Sequence, residues 1–240
     1  MIGLGTLINT GAIIAGGIIG MVFGKALPER FQKILISACG LATIFIAIGG
    51  CLEKMFTVED GKISSGGTMM MLISLALGSV IGEFFKIEER LENFGSWLKR
   101  KTKSESDNGF VNAFVTASLT VCVGAMAIVG SIQDGIFGDY STLSAKAILD
   151  FIIIVIMASS MGKGAIFSAI PVFILQGGVT VLAHLLEPLM TDAALVNISY
   201  VGSMLIFCVG INLIWEKKFS VANMLPSIII AVIWSFMPFA

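Results

Sequence analysis

The sequence predicts an all-α, polytopic transmembrane helical bundle of about eight membrane segments. The 240 residues are 56% hydrophobic and only 13% charged, whereas an average soluble domain is about 25% charged. The mean hydropathy is +0.96. Apolar runs of about 20 residues, long enough to cross the hydrocarbon core as helices, recur along the chain. Strands of an outer-membrane barrel would instead alternate over about 10 residues.

We expect a single integral membrane domain over residues 1–240, with a first four-segment half at 1–133 and a second at 134–240. The start, MIGLGTLINTG, has no basic region and is assigned to the first segment rather than to a signal peptide. The expected membrane segments are 2–23, 34–52, 67–85, 110–132, 145–161, 165–186, 194–214 and 221–239.

The basic residues predict how this bundle is oriented. If the N-terminus is outside, the inner loops hold twelve of the 15 Lys and Arg residues, and only Lys54, Lys62 and Lys146 lie on the other side. Cytoplasmic loops carry such an excess of Lys and Arg. We therefore predict a multi-pass protein of a bacterial cytoplasmic membrane with both termini outside.

The first and third segments carry small residues at helical spacing, Gly16 and Gly20 in one and Gly78 and Gly82 in the other. Such faces let helices approach closely, so these four glycines are predicted to serve helix packing or homo-oligomer formation. AGGIIGMVFGKALPERF also resembles LGSVIGEFFKIEERL. This echo predicts internal repeats, in which the helical hairpin of segments one and two recurs as segments three and four.

Between segments three and four, residues 86–109 form the longest polar stretch and are predicted to be a cytoplasmic basic loop. Apolar residues recur in it at helical spacing: Ile87, Leu91, Phe94 and Leu98. This pattern favours an interfacial helix with Trp97 at headgroup level. A solvated loop that only carries positive charge is the alternative.

Residues 124–150 contain Gln133, Asp134, Lys146 and Asp150 between two long apolar runs. An Asp at the centre of a membrane helix costs roughly 2.5–3.5 kcal/mol on insertion scales, so such groups usually have a use. Gln133 and Asp134 either end a helix in an outer loop or place a carboxylate in an outward-facing vestibule. Lys146 and Asp150 form either an i,i+4 pair at the interface or an ion or proton site.

Segments five and six are separated only by residues 162–164, so they are two full spans or a broken, re-entrant hairpin. Asp150 is expected near the outer surface, whereas Gln176 lies near the centre of its predicted segment. Together with Ser168 they could mark a polar track from the outer face to the middle of the membrane. Interrupted helices near the midplane form ion sites in many transporters.

Asn9 in segment one and Asn223 in segment eight complete the polar set, because a buried amide needs hydrogen-bond partners. The sequence contains no H-E-x-x-H, G-x-S-x-G or P-loop motif, and we expect neither an enzyme nor a cofactor. The single His184 cannot form a metal site alone. No aromatic and basic surface for nucleic acid is present, which leaves the lipid bilayer as the first partner.

The combination of GAMAIVGSIQDG, GD and KAILD over 122–150 resembles the YdfK/YqgA-like family of bacterial integral membrane proteins. INTGAIIAGGIIG, SAIPVFILQGGVT and VANMLP extend the likeness over most of the chain. The resemblance implies a multi-pass protein of a bacterial cytoplasmic membrane. It implies no particular activity and no catalytic residue.

Two functions follow from these observations. The first is a transporter or channel-like protein for a small polar solute or ion, whose cavity is lined by eight ligand-binding candidates: Asn9, Gln133, Asp134, Lys146, Asp150, Ser168, Gln176 and Asn223. The second is a membrane scaffold or interaction subunit that packs through its glycine-rich helix faces. A cavity that water can reach would favour the transporter, whereas paired and dry polar groups would favour the scaffold.

Overall fold

A computed structural model shows an almost entirely helical chain with one small β-hairpin. The structure describes residues 2–26, 28–59, 61–104, 107–122, 125–215 and 218–237. In chain order the elements are α1 (Leu4–Ala26), α2 (Glu29–Met55), β1 (Phe56–Glu59), β2 (Lys62–Ser65), α3 (Thr68–Phe85), α4 (Ile87–Lys101), α5 (Phe110–Cys122), α6 (Ala125–Phe137), α7 (Ser141–Met161), a 3₁₀ helix (Lys163–Ser168), α8 (Ala169–Val181), α9 (Ala183–Leu186), a 3₁₀ turn (Glu187–Leu189), α10 (Asp192–Ile214), α11 (Val221–Met224) and α12 (Pro226–Trp234).

The prediction of an all-α bundle with membrane-spanning helices is confirmed, but the number of spans is smaller than expected. Within the described residues, six helices are long and apolar enough to cross a membrane: α1, α2, α3, α7, the continuous segment Lys163–Val181, and α10. The pair α5 and α6 would make a seventh span, although the two helices are bent by 62°.

The predicted eighth segment, 221–239, differs from a full span. A short helix, α11, precedes Pro226, which starts α12, so the described apolar stretch is only Val221–Trp234. Proline lacks a backbone N–H and fits the first turn of a new helix better than the interior of a long one. Residues 238–239 of the predicted segment lie outside the described part of the chain.

Segments five and six are each long enough to span the membrane. α7 has 21 residues and Lys163–Val181 has 19. Gly162 joins them with φ +96°, a backbone conformation that side-chain-bearing residues rarely adopt. Asp107, from the segment that precedes α5, lies beside this glycine. The lengths therefore favour two full spans over a re-entrant hairpin.

Close helix pairs organise the bundle. Gly16 and Gly20 of α1 lie against the backbone of α7 at Phe151 and Val155, where a Cβ atom would overlap the carbonyl oxygens. In the same way, Gly82 of α3 lies against the backbone of α11 at Asn223. The glycines of the two echoed sequences thus make the same kind of contact, while the internal repeat itself stays a prediction.

The two ends of the bundle can be named from these contacts. At the N-terminal end, the start of α1 meets α6 and α7, because Gly5 lies beside Asp134 and Leu143. At the opposite end, which we call the basic end, α4 carries Lys99, Arg100 and Lys101 in its last turn. The end of α7 and the start of α5 also meet there.

Helix α4 occupies 87–101 of the predicted 86–109 loop, of which residues 105–106 lie outside the described residues. It buries Gly95 and Leu98, and Gly95 faces the ring of Phe114 on α5. Phe94 and Trp97 remain 36% and 48% exposed and stack on each other at 5.7 Å between ring centroids. An amphipathic helix therefore forms, as the interfacial alternative requires, and its position at a membrane surface stays a prediction.

The orientation can be tested at two exposed positions, Lys101 at the end of α4 and Lys62 in the β-hairpin. Each is replaced by cysteine in a background that lacks Cys39, Cys51, Cys122 and Cys208. Because the basic residues predict the basic end inside, a membrane-impermeant thiol reagent should label Lys62→Cys, but not Lys101→Cys, in intact cells. Both should react after permeabilisation, and the reverse pattern in intact cells would refute the orientation.

Candidate functional site

A buried ion pair lies in the middle of α7. Lys146 Nζ is 2.5 Å from Asp150 Oδ2, and the two residues are only 7% and 3% exposed. Asn9 of α1 donates a hydrogen bond from Nδ2 to the same carboxylate oxygen at 3.0 Å. The i,i+4 spacing places both charges on one face of the helix, and that face points at α1.

The depth of Asp150 differs from the expectation. We predicted a position near the outer surface, because segment five was expected to begin at residue 145. In the structure α7 begins at Ser141, so Asp150 is the tenth of its 21 residues. At 1.5 Å per residue it lies about 13 Å from the start of the helix, close to the middle of a span.

The ion pair lies beside a second helix break, which was not predicted because segment four was expected to be continuous over 110–132. Lys146 Nζ also donates a hydrogen bond to the carbonyl oxygen of Val121 at 2.8 Å. Val121 lies in the last turn of α5, and the last four carbonyls of a helix have no partner within it. The negative end of the helix dipole attracts a cation there. The bent pair therefore interrupts predicted segment four, with Gly124 in sequence between its halves.

Asp134 is fully buried rather than exposed in a vestibule. Its carboxylate accepts hydrogen bonds from the backbone N–H groups of Gly3 at 3.2 Å and Gly5 at 3.0 Å. These groups are at the start of α1, where backbone donors lack helical partners and the dipole favours an anion. Asp134 thus ties the first turn of α1 to α6.

Gln133 and Asp139 lie in the same region and bind locally. The Oε1 atom of Gln133 accepts a hydrogen bond from the Thr142 hydroxyl at 2.7 Å. Asp139 is exposed between α6 and α7, and its carboxylate accepts the Ser141 N–H at 2.9 Å. Hydrogen bonds from Ser141 stabilise the charged form and lower the pKa of Asp139. Both residues help start α7 and lie apart from the ion pair.

Gln176 is fully buried in α8, and neither of its amide atoms has a hydrogen-bond partner among the described residues. It was expected at the centre of segment 165–186. Because α8 ends at Val181, Gln176 instead lies five residues, or about 7.5 Å, from the end of the helix. Its depth is closer to the N-terminal end of the bundle than that of Asp150.

Ser168 and Asn223 do not join this group. The hydroxyl of Ser168 donates to the carbonyl of Ala165 at 2.7 Å within the 3₁₀ helix. At the basic end, Asn223 donates to Glu83 Oε2 and accepts the N–H of Glu88, each at 2.7 Å. Glu88 in turn accepts the N–H of Ala222 at 3.2 Å. Asn223 therefore helps to cap α4, and Glu88 helps to cap α11, so Asn223 does not line a cavity with Gln176.

A cavity of about 870 Å³ opens at the basic end, between α2, α4, α5, α10 and the end of α7. Its polar lining includes Glu88, Glu92, Asn112, Thr116, Asn212 and Lys218. This cavity was not predicted, although the sequence of α5 carries a pattern that indicates a polar face. Asn112, Thr116 and Thr120 recur every four residues on a largely apolar helix and share one face.

Among the described residues, no group of three or more His, Cys, Asp or Glu side chains is placed to hold a metal ion. The polar groups instead form two sets. One set surrounds the α5–α6 break and the N-terminal end, and the other lines the cavity at the basic end. The α5 face with Asn112 and Thr116 leads from the cavity toward the break, since Thr120 is only two residues before Cys122.

The comparisons with known proteins support a membrane protein. The chain is 31% identical to the "Uncharacterized membrane protein YdfK" of Bacillus subtilis (strain 168), over 94% of this chain and 93% of that protein. It is 30% identical to the "Uncharacterized protein YqgA" of Escherichia coli (strain K12), over 95% of this chain and 94% of that protein. No solved structure matches it.

The family model described as "Protein of unknown function (DUF554)" matches residues 4–236. This range includes every membrane-spanning helix and every polar residue of the two sets above. It also confirms the resemblance that the motifs of 122–150 indicate. The chain is a membrane protein that belongs to the DUF554 family.

Proposed function

We propose that this protein moves a small polar solute or ion across a bacterial cytoplasmic membrane. The observation that carries the proposal is the buried Lys146–Asp150 pair near the middle of α7. Lys146 of this pair binds the last turn of α5, next to the break between α5 and α6. We propose a transporter or channel rather than an enzyme, with no cofactor.

The free-energy cost of the pair supports a functional role. Removing two charges from water costs several kcal/mol per ion, and apolar residues of similar volume often give equal or greater stability. If Lys146 and Asp150 served only to pack the helices together, apolar residues at both positions would serve as well. Ionisable groups within spans usually mark solute or ion pathways, and half-helix ends coordinate ions in many transporters.

Polar groups approach the pair from both ends of the bundle. From the basic end, the cavity and the α5 face with Asn112, Thr116 and Thr120 lead to the break. From the N-terminal end, Gln176 precedes Asn9, which binds Asp150 directly. The proposed track differs from the predicted one, because Asp150 lies at its middle instead of its outer mouth and Ser168 is not part of it.

The alternative function, a scaffold packed through glycine faces, has less support. Gly16 and Gly20 face α7, and Gly78 and Gly82 face α12 and α11, all within one chain. These faces are therefore already occupied and do not present a surface to another protein. A homo-oligomer stays a prediction, and it would need a different surface.

The proposed access route can be tested by cysteine accessibility. Asn112, Thr116 and Thr120 are each replaced by cysteine in a background lacking the four native cysteines. If the cavity continues as an aqueous path, a hydrophilic thiol reagent should react at all three positions in open membrane fragments, and the rate should fall from 112 to 120. Reaction rates are followed by mass spectrometry.

Ala113 and Ala117 provide the matched controls, because both are on α5 and have no exposed surface. Their cysteine variants should remain unreactive under the same conditions. If Thr116→Cys and Thr120→Cys are as unreactive as these controls, no aqueous route reaches the break and the proposed function fails.

A further inference from the structure

Several buried polar side-chain atoms, four oxygens and one amide nitrogen, have no partner among the described residues where α1, α6 and α8 meet. Thr6 Oγ1, Asn9 Oδ1, Thr180 Oγ1 and both amide atoms of Gln176 have no hydrogen-bond partner among the described residues. The four side chains are between 0% and 5% exposed. Leaving a buried polar group without a hydrogen-bond partner lowers the stability of a fold, so this concentration of groups requires an explanation.

Other helical hydroxyls in the chain show what these groups could have done. Many donate to the carbonyl four residues earlier, at 2.6–2.8 Å: Thr10, Thr43, Ser118, Thr120, Ser131 and Ser203. Thr180 has the Gln176 carbonyl one turn before it, yet it does not make this bond. Thr6 is in the first turn of α1 and has no helical carbonyl four residues before it.

Backbone contacts bring these helices together at the same place. A Cβ atom built on Gly177, the residue after Gln176, would lie 3.9 Å from the Thr6 methyl group. Gly135 of α6 lies against the carbonyl of Thr180. Gly5, the residue before Thr6, donates to Asp134. Thr6 and Asn9 share one helix face, as do Gln176 and Thr180, because their spacings are three and four residues.

Among the described residues, the formal charges at this junction do not balance. Asp150 is paired with Lys146. Asp134 is fully buried, and the partners found for its carboxylate are backbone N–H groups of α1. The positive end of a helix supplies only about half an elementary charge. The three buried ionisable residues, Asp134, Lys146 and Asp150, therefore sum to a formal charge of −1.

We infer that this junction binds one alkali-metal cation, held by the oxygen atoms of Thr6, Asn9, Gln176 and Thr180 beside the carboxylate of Asp134. A monovalent cation would supply partners for the oxygens and balance the buried charge together. Water alone would satisfy hydrogen bonds but leave the charge unbalanced. A divalent ion favours carboxylate ligands or retained water, and among the described residues of this junction only the carboxylate of Asp134 lacks a charged partner.

The cation site stands on the geometry of the junction alone. Only its role, as the ion whose gradient drives transport, rests on the proposed function. The two proposals are tested at different residues, since the access route is probed at cysteines on α5 and the cation site by variants of α8. An experiment on the junction can therefore fail without affecting the route, and the reverse is equally true.

Thermal unfolding of the purified full chain in detergent tests the site. Melting temperatures are compared in sodium, potassium and choline chloride at equal ionic strength. A ligand of the native state raises stability as its concentration exceeds Kd, so sodium or potassium should raise the melting temperature above that in choline. At a concentration about one hundred times Kd, we expect a rise of roughly 5–10 °C.

Variants at the junction should lose this response. Thr180→Val is nearly isosteric and removes one oxygen, while Gln176→Leu removes the amide. Ser227→Ala is the matched control, because Ser227 Oγ is also buried and unpartnered among the described residues but packs against Gly78 of α3. The control should respond to the cation as wild type does.

Two outcomes would overturn the inference. Equal melting temperatures in all three chlorides would mean that the junction binds no alkali-metal cation. A cation response that Thr180→Val and Gln176→Leu both retain would place the ion elsewhere. A response lost in both variants supports the site, even where cysteines on α5 prove unreactive and the proposed route fails.

Discussion

Replacing Gly20 by leucine is expected to prevent the formation of a stable bundle. A Cβ atom at this position would overlap the carbonyl oxygen of Val155 and lie 2.9 Å from the Ala158 Cβ and 3.1 Å from the Ser159 backbone nitrogen. Two of these three neighbours are backbone atoms, so a change of rotamer cannot relieve the overlap. Overpacking typically costs about 1–3 kcal/mol when side chains can move, and a forced separation of α1 from α7 should cost more.

Separation of these helices would also move Asn9 away from Asp150, because both contacts lie on the same α1–α7 interface. Gly11→Leu is the matched control on the same helix. Gly11 is exposed, and no atom lies within 4 Å of a Cβ atom built there. Melting in detergent and migration on size exclusion measure both variants. If Gly20→Leu melts and migrates as Gly11→Leu does, close packing of α1 on α7 is wrong.

The sequence predicted helix positions well where apolar runs are long and uninterrupted. α1, α2, α3 and α10 each include most of their predicted segments. Helix positions were predicted less well where a short break interrupts an apolar run. A single glycine such as Gly124 occurs both within intact membrane helices and at their breaks, so composition alone does not separate α5 from α6.

The sequence also predicted only part of the candidate site. Charged and amide residues are conspicuous in apolar helices, so Asn9, Lys146, Asp150 and Gln176 could be selected from sequence. The depth of each of these side chains in the membrane could not be predicted, because an error of four residues at a helix start moves a side chain by about 6 Å. Thr6 and Thr180 were missed, since a lone threonine in a helix usually bonds to its own backbone.

Replacing Lys146 by methionine is expected to lower the free energy of unfolding by about 3–5 kcal/mol. Asp150 would then be buried with Asn9 as its one remaining hydrogen-bond partner among the described residues. Lys86→Met makes the same substitution in the exposed Lys86–Glu89 pair and should cost less than about 1 kcal/mol, because water and salt screen surface charges. Reversible unfolding in mixed micelles measures the free energy of unfolding of both variants. Equal losses of stability would mean that the buried Lys146–Asp150 pair contributes no more than the exposed pair.

The double variant Lys146→Met with Asp150→Leu separates function from packing. Removing both charges leaves neither ion unpaired, so unfolding stability should return to the wild-type value or exceed it, as replaced buried ion pairs often do. If the pair serves transport, the same protein should no longer be stabilised by the transported solute that stabilises wild type in a thermal-shift screen at a fixed concentration of alkali-metal cation, since the centre of the route has lost its charges. A stable double variant that keeps the full ligand response would show that the pair is packing alone. The two readouts must therefore move in opposite directions if Lys146 and Asp150 are kept in the membrane for a solute rather than for the fold.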